Sequence, residues 1–213
     1  YRMHNRAGRA IRAVLEGNVE EPVRNEAAFR LARIHFQKDQ LDEALHALSR
    51  IEGEVPEEIR DDVEFLRANV YLASGRPHEA VEVLKRLPDE GDLAGFSAYN
   101  LGIALLQDGD AVHATEQLDR AGQIKARERA DLAIRDKSNL VLGTMLFEST
   151  EFTRAERTFD RVRLDGPFSN QALLRAGWAE VSAGRQDRAL VPWGVLVERE
   201  PTDAAVQEAM LAM

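Results

Sequence analysis

Residues 25–51, NEAAFRLARIHFQKDQLDEALHALSRI, decide the fold because they read as two short amphipathic helices joined by a turn. The turn contains Lys38 and Asp39. Residues spaced three and four apart share one face of each helix. The inward-facing set is Leu31, Ala32 and His35 in the first helix and Leu41, Ala44, Leu48 and Ile51 in the second. The stretch therefore predicts a helix–turn–helix unit.

The same unit recurs along the chain at a spacing close to 34 residues. Pro22 and Pro56 are 34 residues apart, and so are Pro167 and Pro201. Alanines follow the same period with steps of 34, 36, 34, 41 and 34: Ala10, Ala44, Ala80, Ala114, Ala155 and Ala189. A period of this length is typical of a solenoid of helix pairs. We therefore predict an all-α repeat array.

A pair of small residues 12 positions apart also recurs in every repeat. The pairs are Ala32 with Ala44, Ala68 with Ala80, Gly102 with Ala114, Gly143 with Ala155, and Gly177 with Ala189. A large apolar residue follows four positions after each alanine: Leu48, Leu84, Leu118, Phe159 and Trp193. Small residues are needed where two helices cross closely, so these pairs predict the crossing points.

This pattern resembles the tetratricopeptide repeat family, in which a small residue in the first helix precedes an alanine, an apolar residue and a proline. The resemblance implies a right-handed superhelical α-solenoid of about five repeats with a partial repeat at each end. The implied units of one solenoid domain are 1–24 (partial), 25–58, 61–94, 95–135 with an extended helix, 136–169, 170–203 and 204–213 (partial).

The two ends read as incomplete units. Tyr1 matches the family's tyrosine late in a first helix, so residues 7–17 are expected to be a second helix without its mate. Residues 204–213 are expected to begin a further first helix, capped by Asp203. The segment 166–193 resembles long tetratricopeptide proteins of Gram-negative bacteria. That resemblance implies that the chain is a segment of such a protein and is located in the periplasm or cell envelope. A cytoplasmic location is the alternative.

Composition limits the function classes. A net charge of −9 and a pI near 5.2 disfavour nucleic-acid binding, which needs a basic face. The apolar runs are too short for membrane insertion. The absence of cysteine excludes thiolate chemistry, and no catalytic or phosphate-binding motif is present. The five histidines lack the spacing of a metal site. We therefore predict a non-enzyme without cofactor or metal.

The resemblance implies a protein-binding groove lined by positions 2, 5, 9, 12 and 13 of each first helix. The candidate partner-binding residues among them are Phe29, Arg33, Phe36, Phe65, Asn69, Phe96, Tyr99, Ile103, Phe147 and Trp178. The aromatic side chains would anchor a partner peptide or helix, and Arg33 and Asn69 would fix its direction by hydrogen bonds. The implied function is an adaptor or scaffold. Alternatively, close packing of neighbouring first helices buries part of this row.

A second hypothesis is a structural spacer or self-assembly segment that forms homo-oligomers through its terminal helices or through a long helix at 125–137. The step of 41 residues lengthens the chain there by seven, about two helical turns. This segment is basic, whereas residues 42–92 hold 14 Asp and Glu against 6 Lys and Arg. The basic residues are Lys125, Arg127, Arg129, Arg135 and Lys137.

Overall fold

The computed structural model describes Ile11, Leu15, residues 19–126 and residues 128–213, and this part contains eleven α-helices and no strand. The predicted all-α fold is confirmed. In chain order the helices are α1 (Glu21–Phe36), α2 (Leu41–Leu48), α3 (Glu57–Ala73), α4 (Pro77–Leu84), α5 (Ala94–Gln107), α6 (Ala111–Gly122), α7 (Arg129–Glu148), α8 (Phe152–Phe159), α9 (Ser169–Ser182), α10 (Gln186–Val197) and α11 (Ala204–Ala212). The predicted helix at 7–17, except Ile11 and Leu15, and the predicted roles of Tyr1 and Arg127 lie outside the described residues.

The helices alternate as the first and second helices of successive repeats, and a tight turn joins the two helices of each pair. Each of these five turns contains a residue with positive φ: Asp39, Gly75, Gly109, Thr150 and Gly184. Glycine adopts this left-handed conformation without strain, whereas Asp39 and Thr150 adopt it at some cost. The turn thus recurs in each pair even where glycine is missing.

The chain divides into two compact units, and the first contains the described residues up to Gly91 together with Ala104–Gly109. In this unit α1 packs on α2 and α3, and α3 packs on α4. Their buried faces form a core around Leu31, Leu48 and Val63. Within this unit, α1 therefore contacts both its own second helix and the next first helix.

The second unit contains Asp92–Ile103 and Asp110–Met213. Here α7 packs on α6, α8 and α9, and α9 packs on α8, α10 and α11. One core cluster surrounds Leu118, Leu142 and Phe159. A second cluster surrounds Trp193 and Leu196 and joins α10 to α11. The arrangement of one continuous array, with the repeat boundaries given above, stays a prediction.

The small residues of the repeat lie where the two helices of a pair cross. All five second-helix alanines from Ala44 to Ala189 are completely buried. A Cβ atom on Gly143 would lie 2.5 Å from Phe159, and one on Gly177 would lie 2.1 Å from Trp193. The glycine therefore makes room for the large residue 16 positions later, four beyond the alanine that recurs in each repeat.

A polar side chain at the first position of three predicted repeats joins the first helix to the loop after the second helix. Asn25 Nδ2 donates to the Glu52 carbonyl at 2.7 Å. Asp136 is fully buried and accepts from Arg163 Nε at 2.9 Å, and Asn170 accepts from Arg199 Nη1 at 2.6 Å. These bonds close repeats one, four and five.

The extra residues predicted for the third repeat, 95–135, lie in the loop before α7 and in α7 itself, which has 20 residues. Lys125 lies in the loop, and the backbone N–H of Glu128 donates to Asp131 at 3.0 Å at the start of the helix. Lys125, Arg129 and Lys137 are exposed, whereas Arg135 is half-buried. The side chains of the predicted basic segment are therefore not all exposed.

Candidate functional site

The ten candidate residues all lie on first helices, where the repeat register places them. In the first unit, Phe29, Arg33 and Phe36 lie on α1, and Phe65 and Asn69 lie on α3. In the second unit, the candidates are Phe96, Tyr99 and Ile103 on α5, Phe147 on α7 and Trp178 on α9. The structure therefore distributes the candidate site over both units, and each half is described separately.

In the first unit, Phe29 is a core residue with only 5% of its surface exposed. The exposed Arg33 lies one helical turn later, with its guanidinium carbon 5.7 Å from the Phe29 ring centroid. Phe36 packs against the same core cluster but stays half-buried. Arg33 thus covers the ring of Phe29, and Phe36 is the more accessible anchor on α1.

Phe65 and Asn69 occupy the equivalent face of α3, and both are half-buried. The residue at position 12 of this helix is Leu72, which is also half-buried. Leu106, at position 12 of the third repeat, belongs to the same unit and is 38% exposed. The first unit therefore presents three large apolar side chains at the same repeat position: Phe36, Leu72 and Leu106.

In the second unit, Tyr99 is buried in the core cluster and is 8% exposed. The Nζ atom of Lys137 on α7 lies 5.0 Å from the Tyr99 ring centroid, at a distance that allows a cation–π interaction. Ile103 and Phe147 pack against the same cluster and stay half-buried, as does Phe96. Phe147 also makes an edge-on contact with Phe152, with ring centroids 5.3 Å apart.

Trp178 is held on two sides by neighbouring helices. Its ring meets Trp193 of α10 edge-on, with centroids 5.1 Å apart. Its indole N–H donates to Oε1 of Glu208 on α11 at 2.8 Å. An aromatic ring fixed in this way loses little conformational entropy on contact with a partner, which suits an anchor residue.

A cleft of about 470 Å³ lies between α9 and α11. Glu208, which accepts the hydrogen bond from Trp178, is one of its lining residues. Its lining includes Asn170, Gln171, Leu174, Asp203 and Glu208. Hydrogen bonds from Asn170 and from the backbone N–H of Ala205 hold the pKa of Asp203 below its usual range. The cleft therefore combines apolar side chains such as Leu174 with carboxylate and amide groups.

The sequence pattern did not single out the side chains that hold this region together. Glu208 fixes Trp178, and Asn170 joins Asp203 and Arg199, yet neither residue was a candidate. A signal was present for Asn170, because Asn25, Asp136 and Asn170 share the first position of their repeats. No sequence signal pointed to Glu208.

Two of the histidines have structural roles. His35 Nδ1 lies 2.9 Å from Gln40 Oε1 across the first turn, and His113 Nδ1 lies 2.7 Å from Asp110 Oδ2 at the start of α6. Within the described ranges, no group of three histidines or carboxylates is placed to hold a metal ion. Across the same residues, every helix is too short or too polar to cross a membrane.

Comparison with solved structures gives the same fold. The structure described as "YrrB: a TPR protein with an unusual peptide-binding site" has a TM-score of 0.67 and 17% identity, and the alignment covers 96% of this chain and 99% of that one. PilF of Pseudomonas aeruginosa has a TM-score of 0.68 and 16% identity over 99% of this chain and 90% of its own. MamA has a TM-score of 0.65 and 18% identity over 82% and 90%.

Family models extend this likeness to the sequence, although no curated protein matches the chain at a significant level. The model of a tetratricopeptide repeat-like domain matches residues 3–92. The model of the tetratricopeptide repeat matches residues 65–128 and 140–204, which together are more than half of the chain. The chain therefore belongs to the tetratricopeptide repeat family.

Proposed function

We propose that the chain is a non-catalytic adaptor or scaffold that binds a partner peptide or helix on the accessible face of its first helices. The observation that carries this proposal is the row of large apolar side chains at position 12. None of these side chains is fully buried, although the crossing alanines of the same repeats are. The row is Phe36, Leu72 and Leu106 in the first unit, and Phe147 and Val181 in the second.

The ten candidate residues have different proposed roles because their exposures differ. Phe29 and Tyr99 form the floor, since each exposes less than a tenth of its surface. The half-buried anchors are Phe36, Phe65, Phe96, Ile103, Phe147 and Trp178. Arg33 and Asn69 supply hydrogen bonds that fix the direction of the partner. An apolar side chain on a partner would gain buried area at the anchors and complete their desolvation.

The family supports a protein or peptide as the partner. A tetratricopeptide protein of the same fold is described as having a peptide-binding site. The net charge of −9 disfavours nucleic acid as the partner. The partner's own anchor residues are then apolar, because the anchors of this chain are apolar and aromatic.

The proposal is tested with peptides selected from a random library against the intact chain, followed by affinity measurements with a labelled selected peptide. We expect Phe65→Ser to lower the affinity of peptides that bind the first unit, and Phe147→Ser to lower the affinity of peptides that bind the second. Each loss should be about tenfold or more, as is usual when an aromatic anchor is removed. Arg33→Glu tests the first unit without removing an apolar side chain. Arg33 is exposed, so this change should leave the core intact.

Val112→Ser is the matched control, since Val112 is 70% exposed on α6, a second helix. Circular dichroism confirms that each variant keeps its helices. The proposal is wrong if folded Phe65→Ser, Phe147→Ser and Arg33→Glu proteins all retain wild-type affinity for every selected peptide, or if Val112→Ser weakens binding as much as they do.

Self-association is a second candidate function, and one specific observation favours it. Apolar side chains are exposed on the last two helices of the second unit: Leu190, Val191 and Val195 on α10 and Met210 and Leu211 on α11. Contiguous exposed apolar surface on a soluble protein marks an interaction site more often than isolated side chains do.

A further inference from the structure

The outer face of α10 is apolar. Val191 is 71% exposed, Leu190 is 46% exposed and Val195 is 43% exposed. Gly194 lies among them, and a Cβ atom placed on it would meet no atom within 4 Å. The opposite face of the same helix buries Ala189, Trp193 and Leu196 against α9 and α11. The core of the repeat is therefore complete without the outer face.

At the positions equivalent to Val191 and Val195, the other repeats have polar or charged side chains. Six residues after the recurring alanine, the fifth repeat has Val195, whereas the other four repeats have arginine: Arg50, Arg86, Arg120 and Arg161. Two residues after it, the four repeats have charged or polar side chains where the fifth has Val191: His46, Glu82, Glu116 and Arg157. Charged side chains on exposed faces keep copies of a protein apart. Only the fifth repeat lacks them at both positions.

The side chains of this face follow the spacing of a helix-pairing seam. Arg188, Val191, Val195 and Glu198 are separated by three, four and three residues, which is the spacing of positions a and d in a heptad. Arg188 and Glu198 are both exposed, and within the described residues neither side chain has an ion-pair partner. Pro192 lies on α10 beside the seam rather than in it.

The seam is complementary to itself when two copies run antiparallel. A two-fold axis that places Val191 opposite Val195 of a second copy also places Arg188 opposite Glu198 of that copy. Two apolar contacts and two opposite-charge contacts then form at once, because the axis repeats each pair. A parallel arrangement would instead bring Arg188 against Arg188 and Glu198 against Glu198, which repel.

We infer that α10 of one chain packs antiparallel on α10 of a second copy and that the protein forms a two-fold homodimer through this face. Gly194 allows the two helix backbones to approach closely at the middle of the seam. The interface of one helix from each chain is small, so the dimer depends on protein concentration. This dimer does not require the proposed peptide-binding face on the first helices.

Sedimentation equilibrium of the full chain tests the dimer. Over roughly 1 to 500 μM, the range expected for a small interface, we expect the mass to rise from the 23.8 kDa of one chain toward twice that value. We expect Val191→Glu to weaken dimerisation at least tenfold, because it buries a carboxylate opposite Val195. Val112→Glu is the matched control, since Val112 is equally exposed on α6, and it should leave the dimer unchanged.

Charge exchange tests the antiparallel geometry. Arg188→Glu and Glu198→Arg should each weaken the homodimer, because each brings like charges together twice. Mixing the two variants should give a heterodimer, and the double variant should dimerise like wild type. A wild-type mass of one chain at every concentration would overturn the proposal. So would a dimer that survives Val191→Glu, or one that Leu211→Glu on α11 abolishes and Val191→Glu does not.

Discussion

At the residue scale, the size of the small residue in the first helix matches the size of its partner 16 positions later in four of the five repeats, and the third repeat, which pairs Gly102 with Leu118, is the exception. Alanine accompanies leucine in the first two repeats, where Ala32 and Ala68 precede Leu48 and Leu84. Glycine accompanies the bulkiest partners, Phe159 and Trp193. All of these residues are in or beside the core, so in these four repeats a bulkier second-helix side chain is accompanied by a smaller first-helix residue.

Gly143→Ala should destabilise the protein because its new Cβ atom would lie 2.5 Å from the Phe159 ring. Overpacking of about 1–3 kcal/mol outweighs the helix-propensity gain of about 1 kcal/mol. In a Phe159→Leu background the same change should be neutral or stabilising, because Ala with Leu is the combination of the first two repeats. Urea unfolding of the four proteins in this cycle measures the coupling, and additive free energies would contradict the size match.

The sequence predicted the buried residues better than the accessible ones at this scale. Small residues and large partners recur with the period of the helix, and that period alone places them at the crossing. The accessibility of a first-helix side chain depends instead on its neighbours from the next helix. Phe29 and Phe36 are both phenylalanines of the predicted row, yet the former is buried and the latter half-buried.

At the element scale, α8 and α9 meet at a cluster of carboxylates. Glu156 and Asp160 lie at the end of α8, and Glu180 on α9 is only 5% exposed and is paired with Arg185. Burial raises the pKa of Glu156, and the neighbouring Asp160 and Glu180 carboxylates raise it further, whereas Arg185 lowers it. Glu156 therefore loses its proton at a higher pH in the folded protein than in the unfolded chain.

Glu156→Gln should make the stability of the protein less dependent on pH. A carboxyl group whose folded pKa is raised contributes stability below the unfolded value of about 4.3, and this contribution is lost as the pH rises through the folded pKa. At pH 7 we expect the Gln variant to exceed wild type by less than about 1 kcal/mol, since Glu156 is only half-buried and water screens its neighbours. The difference should vanish near pH 4.

Thermal unfolding from pH 4 to pH 8 measures this effect. Glu116→Gln, an exposed change of the same charge on α6, is the control and should shift the unfolding temperature little at any pH. An advantage of Glu156→Gln that grows as the pH falls would contradict the explanation.

The repeat register did not predict where the first helices begin. The predicted units begin at residues 25 and 61, but α1 begins at Glu21 and α3 at Glu57. Proline fits the start of a helix because its nitrogen needs no hydrogen bond there, so Pro22 in the first turn of α1 and Pro56 at the N-cap of α3 allow these helices to start earlier. The register was read from apolar residues, and the first turn of a helix contributes few of them.

At the scale of the whole molecule, charge is unevenly distributed. Residues 42–92, which include α2, α3 and α4, carry eight of the nine net negative charges. Most of these carboxylates are exposed, and like charges on a folded surface repel one another. Salt should therefore stabilise α2–α4 more than it stabilises α7–α10.

Hydrogen–deuterium exchange at about 20 mM and about 300 mM NaCl tests this expectation, because the Debye length shortens severalfold between them. We expect the protection of α3 and α4 amides to rise more than that of α7 and α8 amides. An equal rise in both regions would mean that repulsion within residues 42–92 does not limit stability.

The contact between Trp178 and Trp193 has an optical consequence. They are the chain's two tryptophans, and both belong to the fifth repeat. Intrinsic tryptophan fluorescence therefore reports on the fifth repeat alone, and the first unit does not contribute to it. Circular dichroism, in contrast, records all the helices. Where the two signals give different unfolding midpoints, their separation measures how far the repeats lose their structure independently of one another.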